Sequence, residues 1–326
     1  MKILVTGGAG YIGSVTTRHL LDGGHDVTVF DSLELGHREA LDSRTSLIVG
    51  DLRNSDDILR AMDQVRPDAV MHFAAYALVG ESSADPGKYF RNNDCGGVNL
   101  ADAMNACGVK RIVFSSTCAT YGQPETMPIT EETPQCPTNP YGQSKFIYEQ
   151  MLGWYAKIHG FRPVFLRYFN ACGAEGDLGE DHAVETHIIP NVLKVPLGQR
   201  DHVDIFGDDY QTPDGTCVRD YIHVSDLAQA HMLAITSDFS GAVNLGTGTG
   251  FSVKQIVEAA RKVTGHPIPA VIGPRRAGDP DFLVSNPSKA YRELGWKAEY
   301  TDPVDIIQTA WAWHLKHPDG YAKKAK

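Results

Sequence analysis

The chain lacks several things that would each open a separate line of function. No run of about 18 apolar residues occurs, so no transmembrane helix is expected. There is no basic excess: 40 acidic against 30 basic side chains give a formal charge of −10. That argues against nucleic acid or an anionic membrane as the main partner. The six cysteines (Cys95, Cys107, Cys118, Cys136, Cys172, Cys217) include no C-x-x-C pair. Scattered thiols in partly apolar contexts point to reduced, buried cysteines and a cytoplasmic protein, not a disulfide frame or a zinc knuckle. The 13 histidines form no H-E-x-x-H. His182 and His187 flank Ala183–Thr186 without the ligand spacing of a helical metal site, so no metal is expected. Internal repeats and low-complexity segments are absent. The opening Met1-Lys2-Ile3-Leu4-Val5 meets glycine too soon for a signal peptide and reads as a strand.

What is present starts at that strand. Lys2–Thr6 runs into Gly7-Gly8-Ala9-Gly10-Tyr11-Ile12-Gly13, then a helix over 14–22, then a strand over 25–31 that ends in Asp31. This βαβ unit has glycines where a dinucleotide needs them. Gly7 allows the tight turn, Gly10 the approach of a pyrophosphate, and Gly13 the close packing of helix on strand. The helix N-terminus presents free N–H groups to phosphate. Asp31 can bind both adenine-ribose hydroxyls and repel a 2′-phosphate, which favours NAD over NADP, although Arg38 in the next loop leaves NADP open. A third strand over 47–52 places Asp51 and Leu52 where they could flank adenine, or where Asp51 could cap the next helix. A fourth over 69–75 carries Phe73 and Ala74 toward the cofactor. Asn92 and Asn93 open a long helix through Ala106, with Asn92 reaching the cofactor or satisfying backbone. Strands over 110–115 and 163–169 complete six that alternate with helices. The fold class is therefore α/β, a doubly wound parallel sheet.

Between the fifth and sixth strands lies the chemistry. Ser115-Ser116-Thr117 ends a buried strand, and Asn139-Pro140-Tyr141-Gly142-Gln143-Ser144-Lys145 starts a helix. Tyr141 and Lys145 are four apart and share one helix face. A phenol of pKa about 10 becomes a base at neutral pH if a cation stabilises its phenolate. Bringing it to pH 7 takes roughly three units, ~4 kcal/mol. Lys145 and a positive nicotinamide ring would supply that in a dry pocket. One Tyr-x-x-x-Lys pair is expected by chance with roughly even odds in a chain of this size. Its place directly after the hydroxyl cluster is what gives it weight.

Beyond Asn170 the pattern becomes a smaller, interleaved α/β region. A glycine-rich acidic loop spans 173–185, with short helices and strands after it, and a strand over 241–246 rejoins the first sheet. The expected division is residues 1–170 for the dinucleotide and 171–326 mainly for the substrate, with segments near 221–249 returning to the first domain. Arg219, Arg275 and Arg276 sit in loops of an acidic protein, where arginine is the usual bidentate partner of phosphate.

These motifs together resemble the extended short-chain dehydrogenase/reductase family: Gly7-x-x-Gly10-x-x-Gly13, the Ser115-Ser116-Thr117 cluster and Tyr141-x-x-x-Lys145. The nucleotide-sugar members are matched further by Arg167-Tyr168-Phe169-Asn170, Ile205–Tyr210, Gly215–His223 and Arg276-Ala277-Gly278-Asp279, so the similarity runs the length of the chain. The resemblance implies a Rossmann fold, a retained NAD, a homodimer through helices over 92–106 and 142–158, and a UDP-sugar substrate. It implies inversion of carbon 4 of a UDP-hexose, interconverting UDP-galactose and UDP-glucose through a 4-keto sugar. Tyr141 would be the acid–base, Lys145 its electrostatic partner and Thr117 the hydroxyl on the sugar oxygen. Tyr11, Ile12, Lys145 and Phe169 would contact cofactor. Asn170, His187, Ile188, Arg219, Tyr221, Arg276 and Asp279 would hold the UDP-sugar, with Ile205 and Phe206 at the uracil.

The chain departs from the family pattern in four places. Thr117 stands where many members have Ser, Ala77 where some have Lys, and His187 where some have Asn. Leu283 falls at the position that gates sugar size, between the large and small residues of other members. Rival activities on the same scaffold are a UDP-N-acetylhexosamine 4-epimerase and a dehydratase. A dehydratase would be expected to carry acids after Thr117, where Cys118-Ala119 stand. A catalytically silent NAD binder would be expected to lose the tyrosine.

Overall fold

The computed structural model describes residues 1–276 and 278–321. The basic tail Lys323-Lys324-Ala325-Lys326, and Ala277 of the Arg276–Asp279 motif, lie outside the described residues.

Thirteen strands and eleven α-helices are found among the described residues. The strands are β1 (Lys2–Thr6), β2 (Asp26–Asp31), β3 (Ser46–Val49), β4 (Ala69–His72), β5 (Arg111–Thr117), β6 (Arg162–Tyr168), β7 (Asn170–Cys172), β8 (Val203–Phe206), β9 (Val218–His223), β10 (Gly241–Leu245), β11 (Gly250–Ser252), β12 (Ala270–Gly273) and β13 (Phe282–Leu283). The helices are α1 (Tyr11–Asp22), α2 (Ser55–Val65), α3 (Val79–Ala84), α4 (Pro86–Tyr89), α5 (Gly96–Ala106), α6 (Pro140–His159), α7 (Ile188–Leu193), α8 (Val224–Thr236), α9 (Val253–Thr264), α10 (Ser288–Leu294) and α11 (Pro303–Lys316).

Seven strands form one parallel sheet in the order β10-β6-β5-β4-β1-β2-β3. Strand sequence reverses between β1 and β4, and ligands of such sheets sit at that switch, outside the carboxyl ends of the strands. Both faces are buried. One packs Ile3, Val5, Val27 and Val113 against Leu20, Leu227, Ile235 and Trp296. The other packs Leu4, Val70, Ile112 and Phe114 against Ile58, Met62, Leu100 and Leu152. A sheet covered on both faces explains why its strands read as continuous apolar runs. As expected, β10 rejoins this sheet as its edge.

The smaller region gathers around β9, which pairs with β7, β11 and β13, while β8 and β12 form a separate parallel pair. Its own core includes Ile189, Leu193, Val203, Ile256 and Ile307.

Several expected boundaries move. The helix placed at Asn92 begins at Pro86, because Asp85 accepts from Lys88 N and proline suits the first helical position. It then passes through a π-turn at Phe90–Cys95 before α5. The third strand stops at Val49, where Asp51 N leaves the ladder for the Asp57 carboxylate. The fourth stops at His72 and the fifth runs on through Thr117. Helix α1 starts at Tyr11, directly on Gly10.

Candidate functional site

The glycine turn joins β1 to α1. Gly7 has φ +75, and a Cβ there would overlap the backbone of Ala74. A Cβ at Gly13 would overlap the Gly7 carbonyl, so helix and strand meet through that missing atom. Gly10 is different: its Cβ would meet nothing nearer than Gly7 O at 3.4 Å. Packing demands glycine at positions 7 and 13 but hardly at 10, where a close-approaching phosphate would. Gly10 also heads α1, with no side chain capping its amides and no acid in the first turn. That leaves an anion-ready helix start. These residues fit a dinucleotide pyrophosphate.

Asp31 ends β2 beside the turn. Its carboxylate accepts from Ala9 N at 3.0 Å and Leu33 N at 2.8 Å, which fixes it against the glycine loop. Burial raises its pKa, with those two amides opposing. The fit to a ribose diol is retained, since each oxygen keeps a further lone pair. Asp51 does not cap α2; Asn54 does, accepting from Asp56 N. Asp51 instead receives Arg53 N and Nε at 2.8 and 2.9 Å. Leu52 is buried, and its carbonyl accepts from Asn99 Nδ2. Phe73 and Ala74 follow β4, both amides bonded to Thr6 O. Among the described residues the Asn92 side chain donates to Asn93 alone, and it is Asn93 that serves the backbone, pairing with Tyr76 N and O and with Ser144 Oγ. Tyr11 donates to Gly173 O at 2.6 Å, and Ile12 packs into the core beside it.

The reactive group is assembled by β5 and α6. Asn139 caps α6 by accepting from Gly142 N, with Pro140 at the first position. A Cβ at Gly142 would press on Ala119 O, so the helix start seats directly on the turn after Thr117. Thr117 caps that turn through Ala119 N and lies close enough to Tyr141 to draw its phenol pKa down. Burial outweighs this and leaves Tyr141 pushed up to about 12. Lys145 reaches back to Ser115 O at 2.8 Å and lies over the Phe114 ring. Burial depresses it to about 7, against the charges of Asp94 and Glu149. So the protein alone does not lower the phenol, which the sequence reading assigned to Lys145 and the nicotinamide ring together. Both groups lose solvation together, and a further positive charge must come with the cofactor.

Sequence reasoning missed the network behind these residues. Glu149, one turn beyond Lys145, accepts from Ser116 Oγ at 2.5 Å, Arg167 Nη2 at 2.5 Å and Gln135 Nε2 at 3.1 Å. Arg167 also donates to Tyr121 OH at 2.9 Å. The signal was available as the i, i+4 step from Lys145 to Glu149. Asp94, on the π-turn, was missed too. Both of its oxygens are buried without a hydrogen bond, and burial raises it to about 7.

In the second region Asn170, Asp279 and Leu283 meet β9 beside Arg219 and Tyr221. Arg219 and Tyr221 alternate along the strand, and Asn170 pairs in register with Tyr221 while donating to Asp220 O. Arg219 is buried and donates to Asp279 Oδ1 at 2.5 Å and Val218 O at 2.7 Å. Leu283 pairs in register with Arg219 and packs on the Tyr121–Ile129–Phe169 cluster, linking the two regions. Arg276 stacks on Phe206 at 4.1 Å, and Arg275 on Tyr210 at 4.0 Å with its Nε on Asp209. Ile205 is buried and Phe206 half-exposed. His187 and Ile188 start α7, but the His187 ring turns to Glu180 and Glu185. Two cysteines are buried, Cys172 and Cys217, while Cys95 and Cys136 are exposed; all six are free.

The chain is similar to known proteins along nearly its whole length. The model of the family described as "NAD dependent epimerase/dehydratase family" matches residues 3–246. A Lacticaseibacillus casei protein named UDP-glucose 4-epimerase is 51% identical over 330 residues, covering 99% of this chain and 100% of that protein. A solved structure of a UDP-glucose 4-epimerase superposes with TM-score 0.96 at 48% identity, over 99% of this chain and 100% of that one. Another, from Bifidobacterium longum in complex with NAD+ and UDP, gives TM-score 0.93 at 42% identity, over 98% and 100%. This chain belongs to the NAD dependent epimerase/dehydratase family.

Proposed function

We propose that the chain is an NAD-dependent isomerase that inverts carbon 4 of a UDP-hexose, interconverting UDP-galactose and UDP-glucose. The observation that carries it is Tyr141, seated against Thr117 one helical turn from Lys145, at the carboxyl edge of a sheet whose glycine turn fits a dinucleotide. When bound, NAD supplies a reversible hydride acceptor. Gly7, Gly10, Gly13 and Asp31 would hold it, with Phe73, Ala74 and Phe169 along its length. Tyr141 takes the proton from the sugar 4-hydroxyl, and Thr117 holds that oxygen in line. Lys145 stabilises the phenolate. The 4-keto sugar turns over while UDP stays held by Arg219, Arg276 and Asn170; Tyr141 then returns its proton to the sugar 4-oxygen, and return of the hydride to the opposite face of carbon 4 inverts it. The buried Arg219–Asp279 pair supports the diphosphate role, since a fixed guanidinium retains donors for a second anion.

Leu283 lies against Phe169 and beside Arg219, which supports its place at the sugar. A UDP-N-acetylhexosamine is the second substrate to test there. Trp154 and Ile158 stand exposed four apart on α6, which supports a homodimer through α5 and α6. No described helix is long and apolar enough to cross a membrane.

The test is incubation of purified protein with UDP-galactose and no added nucleotide. UDP-glucose with no net NADH is expected. No product, even with NAD supplied, would overturn the proposal. Tyr141→Phe should cut turnover by roughly 10²–10⁴ with UDP affinity nearly intact, and unchanged turnover would remove Tyr141 from the reaction.

A further inference from the structure

The loop between β7 and α7 carries four side chains whose donor atoms converge. Glu180, His182, Glu185 and His187 each offer one ligand atom, and all four lie within 4.8 Å of one another. The carboxylates are almost fully covered, with side-chain exposures of 5% and 3%. Both histidines approach through Nδ1. His187 Nδ1 lies 2.7 Å from Glu180 Oε1 and 3.0 Å from Glu185 Oε1. His182 Nδ1 lies 3.3 Å from Glu180 Oε1 and 3.4 Å from Glu185 Oε2.

These distances have a geometric meaning. Four N and O donors at about 2.0–2.2 Å from a tetrahedral ion sit roughly 3.3–3.6 Å apart. The four N···O edges here, 2.7 to 3.4 Å, form a slightly contracted version of that figure. A second observation separates the cluster from two ordinary ion pairs. Glu180 Oε1 is buried and makes no hydrogen bond, although two imidazole nitrogens lie within 3.3 Å. Both rings bond to Glu185 instead, His182 Nδ1 to Oε2 at 3.4 Å and His187 Nδ1 to Oε1 at 3.0 Å. Glu180 Oε1 is thus left over beside both imidazole nitrogens. Bridges to Glu185 alone leave that buried acceptor unsatisfied, at a cost of about 1–3 kcal/mol that a cation among the four groups would remove.

We propose that Glu180, His182, Glu185 and His187 form a structural site for one divalent transition-metal ion of the zinc type. Two carboxylates neutralise the ion's charge, and two neutral imidazoles complete a four-coordinate N/O set with no thiolate. With four protein ligands no position remains for a reacting water, so the site is structural and takes no part in the sugar chemistry. Its work is to close the loop that runs from Gly173, where Tyr11 of α1 docks, to His187 at the head of α7. The edge of the His182 ring meets Tyr11, so the ion would tie the glycine turn to the second region.

The test uses the full-length protein with its cofactor retained. After chelation and desalting it is titrated with zinc chloride, and separately with cobalt chloride. One equivalent per chain is expected, with the visible absorption of tetrahedral cobalt displaced by zinc, and a melting temperature that rises with added metal. Glu180→Gln and His182→Asn should each weaken binding by more than the ~100-fold that loss of an outer-shell partner costs. Failure of the unaltered protein to bind an equivalent of either ion would overturn the proposal. So would stoichiometry and cobalt spectrum unchanged in both variants, which would assign the ion to other histidines. Should a variant fail to fold, X-ray absorption of the zinc-loaded unaltered protein decides alone: two imidazoles with two carboxylate oxygens uphold the site, and any sulfur ligand refutes it.

Discussion

Asp220 sits on β9 between Arg219 and Tyr221, fully buried. Its carboxylate takes five hydrogen bonds from two other segments. Oδ1 receives Thr247 N at 2.8 Å and Thr247 Oγ1 at 2.7 Å. Oδ2 receives Gly248 N at 3.1 Å, Ser285 N at 3.1 Å and Ser285 Oγ at 2.6 Å. It thus joins the strand bearing the substrate candidates to the turn after β10 and to the exit from β13. Consider Asp220→Asn, which keeps the shape. The amide oxygen serves best on the Oδ2 side, where two backbone N–H groups wait. Its NH₂ then faces Thr247 N, donor against donor, while the Thr247 hydroxyl can rotate to accept. One buried N–H conflict costs about 1–3 kcal/mol, and the surviving bonds lose roughly 1 kcal/mol each of charge assistance. Relief of the buried charge offsets part of this. The expected loss is about 3 kcal/mol. Asp220→Ala orphans three N–H groups, that of Ser285 fully buried, and opens a cavity, for about 5 kcal/mol, a large share of a typical 5–15 kcal/mol stability. Urea denaturation of both variants measures the loss, and the KM for UDP-galactose should rise more than kcat falls, since Arg219 and Tyr221 flank the change. An Asn variant within about 0.5 kcal/mol of the unaltered protein would refute the reasoning, as would Ala being milder than Asn.

Two further outcomes follow from the buried charges. Lys145, depressed from 10.5 to about 7 by burial, is costly to hold charged, so cofactor-free Lys145→Met should gain up to a few kcal/mol while losing turnover. The unfolded chain binds the extra proton between those values, so the gain is full below pH 7 and shrinks as pH rises toward 10.5; denaturation at pH 6 and pH 9 checks it, and a gain independent of pH would exclude the charge as its cause. Glu149→Gln strands Arg167 in the core and should cost about 3–5 kcal/mol of unfolding free energy in denaturation; a loss under 1 kcal/mol would mean that Gln135 and Tyr121 hold the guanidinium without it.

How far the sequence discloses the fold depends on where each element's information lies. β1, the glycine turn, α1 and Asp31 were legible because a short βαβ unit carries its own geometry: glycines where backbone meets backbone, and an acid where the next strand ends. The strands of the main sheet were legible as apolar runs because both their faces are covered. α3 was not, since Val79–Ala84 is six residues with only Ser82 buried, too short for a helical period to register. β7, β11 and β13 are two or three residues long and exist as strands only because β9 pairs with them. No local pattern announces such a partner. The start of α4 was missed for a different reason: Asp85-Pro86 is a cap and first-turn signal in plain sight, outweighed by the more conspicuous Asn92-Asn93.

The site divides along the same line, and the division bears on its chemistry. Tyr141 and Lys145 were legible because a helix converts a spacing of four into one face. The spacing did not say what surrounds that face. Lys145 was expected to lower the Tyr141 phenol together with a nicotinamide ring; without the ring both groups are buried, the phenol at about 12 and the ammonium near 7. A lysine that readily gives up its proton at neutral pH is a poor standing cation. It becomes a good one only when a neighbouring negative charge holds its proton. Asp94 and Glu149 are the carboxylates that raise it, and the phenolate would be a third. Tyr141 deprotonation and Lys145 protonation are therefore one coupled event, and their apparent values belong to the pair. Asp94 is the separable part of this coupling, because neither of its oxygens is committed to another hydrogen bond. Asp94→Asn should leave the helix intact, remove one charge that supports Lys145, and move the alkaline limb of a kcat–pH profile to lower pH. An unmoved profile would place the whole of that support on Glu149 and the phenolate.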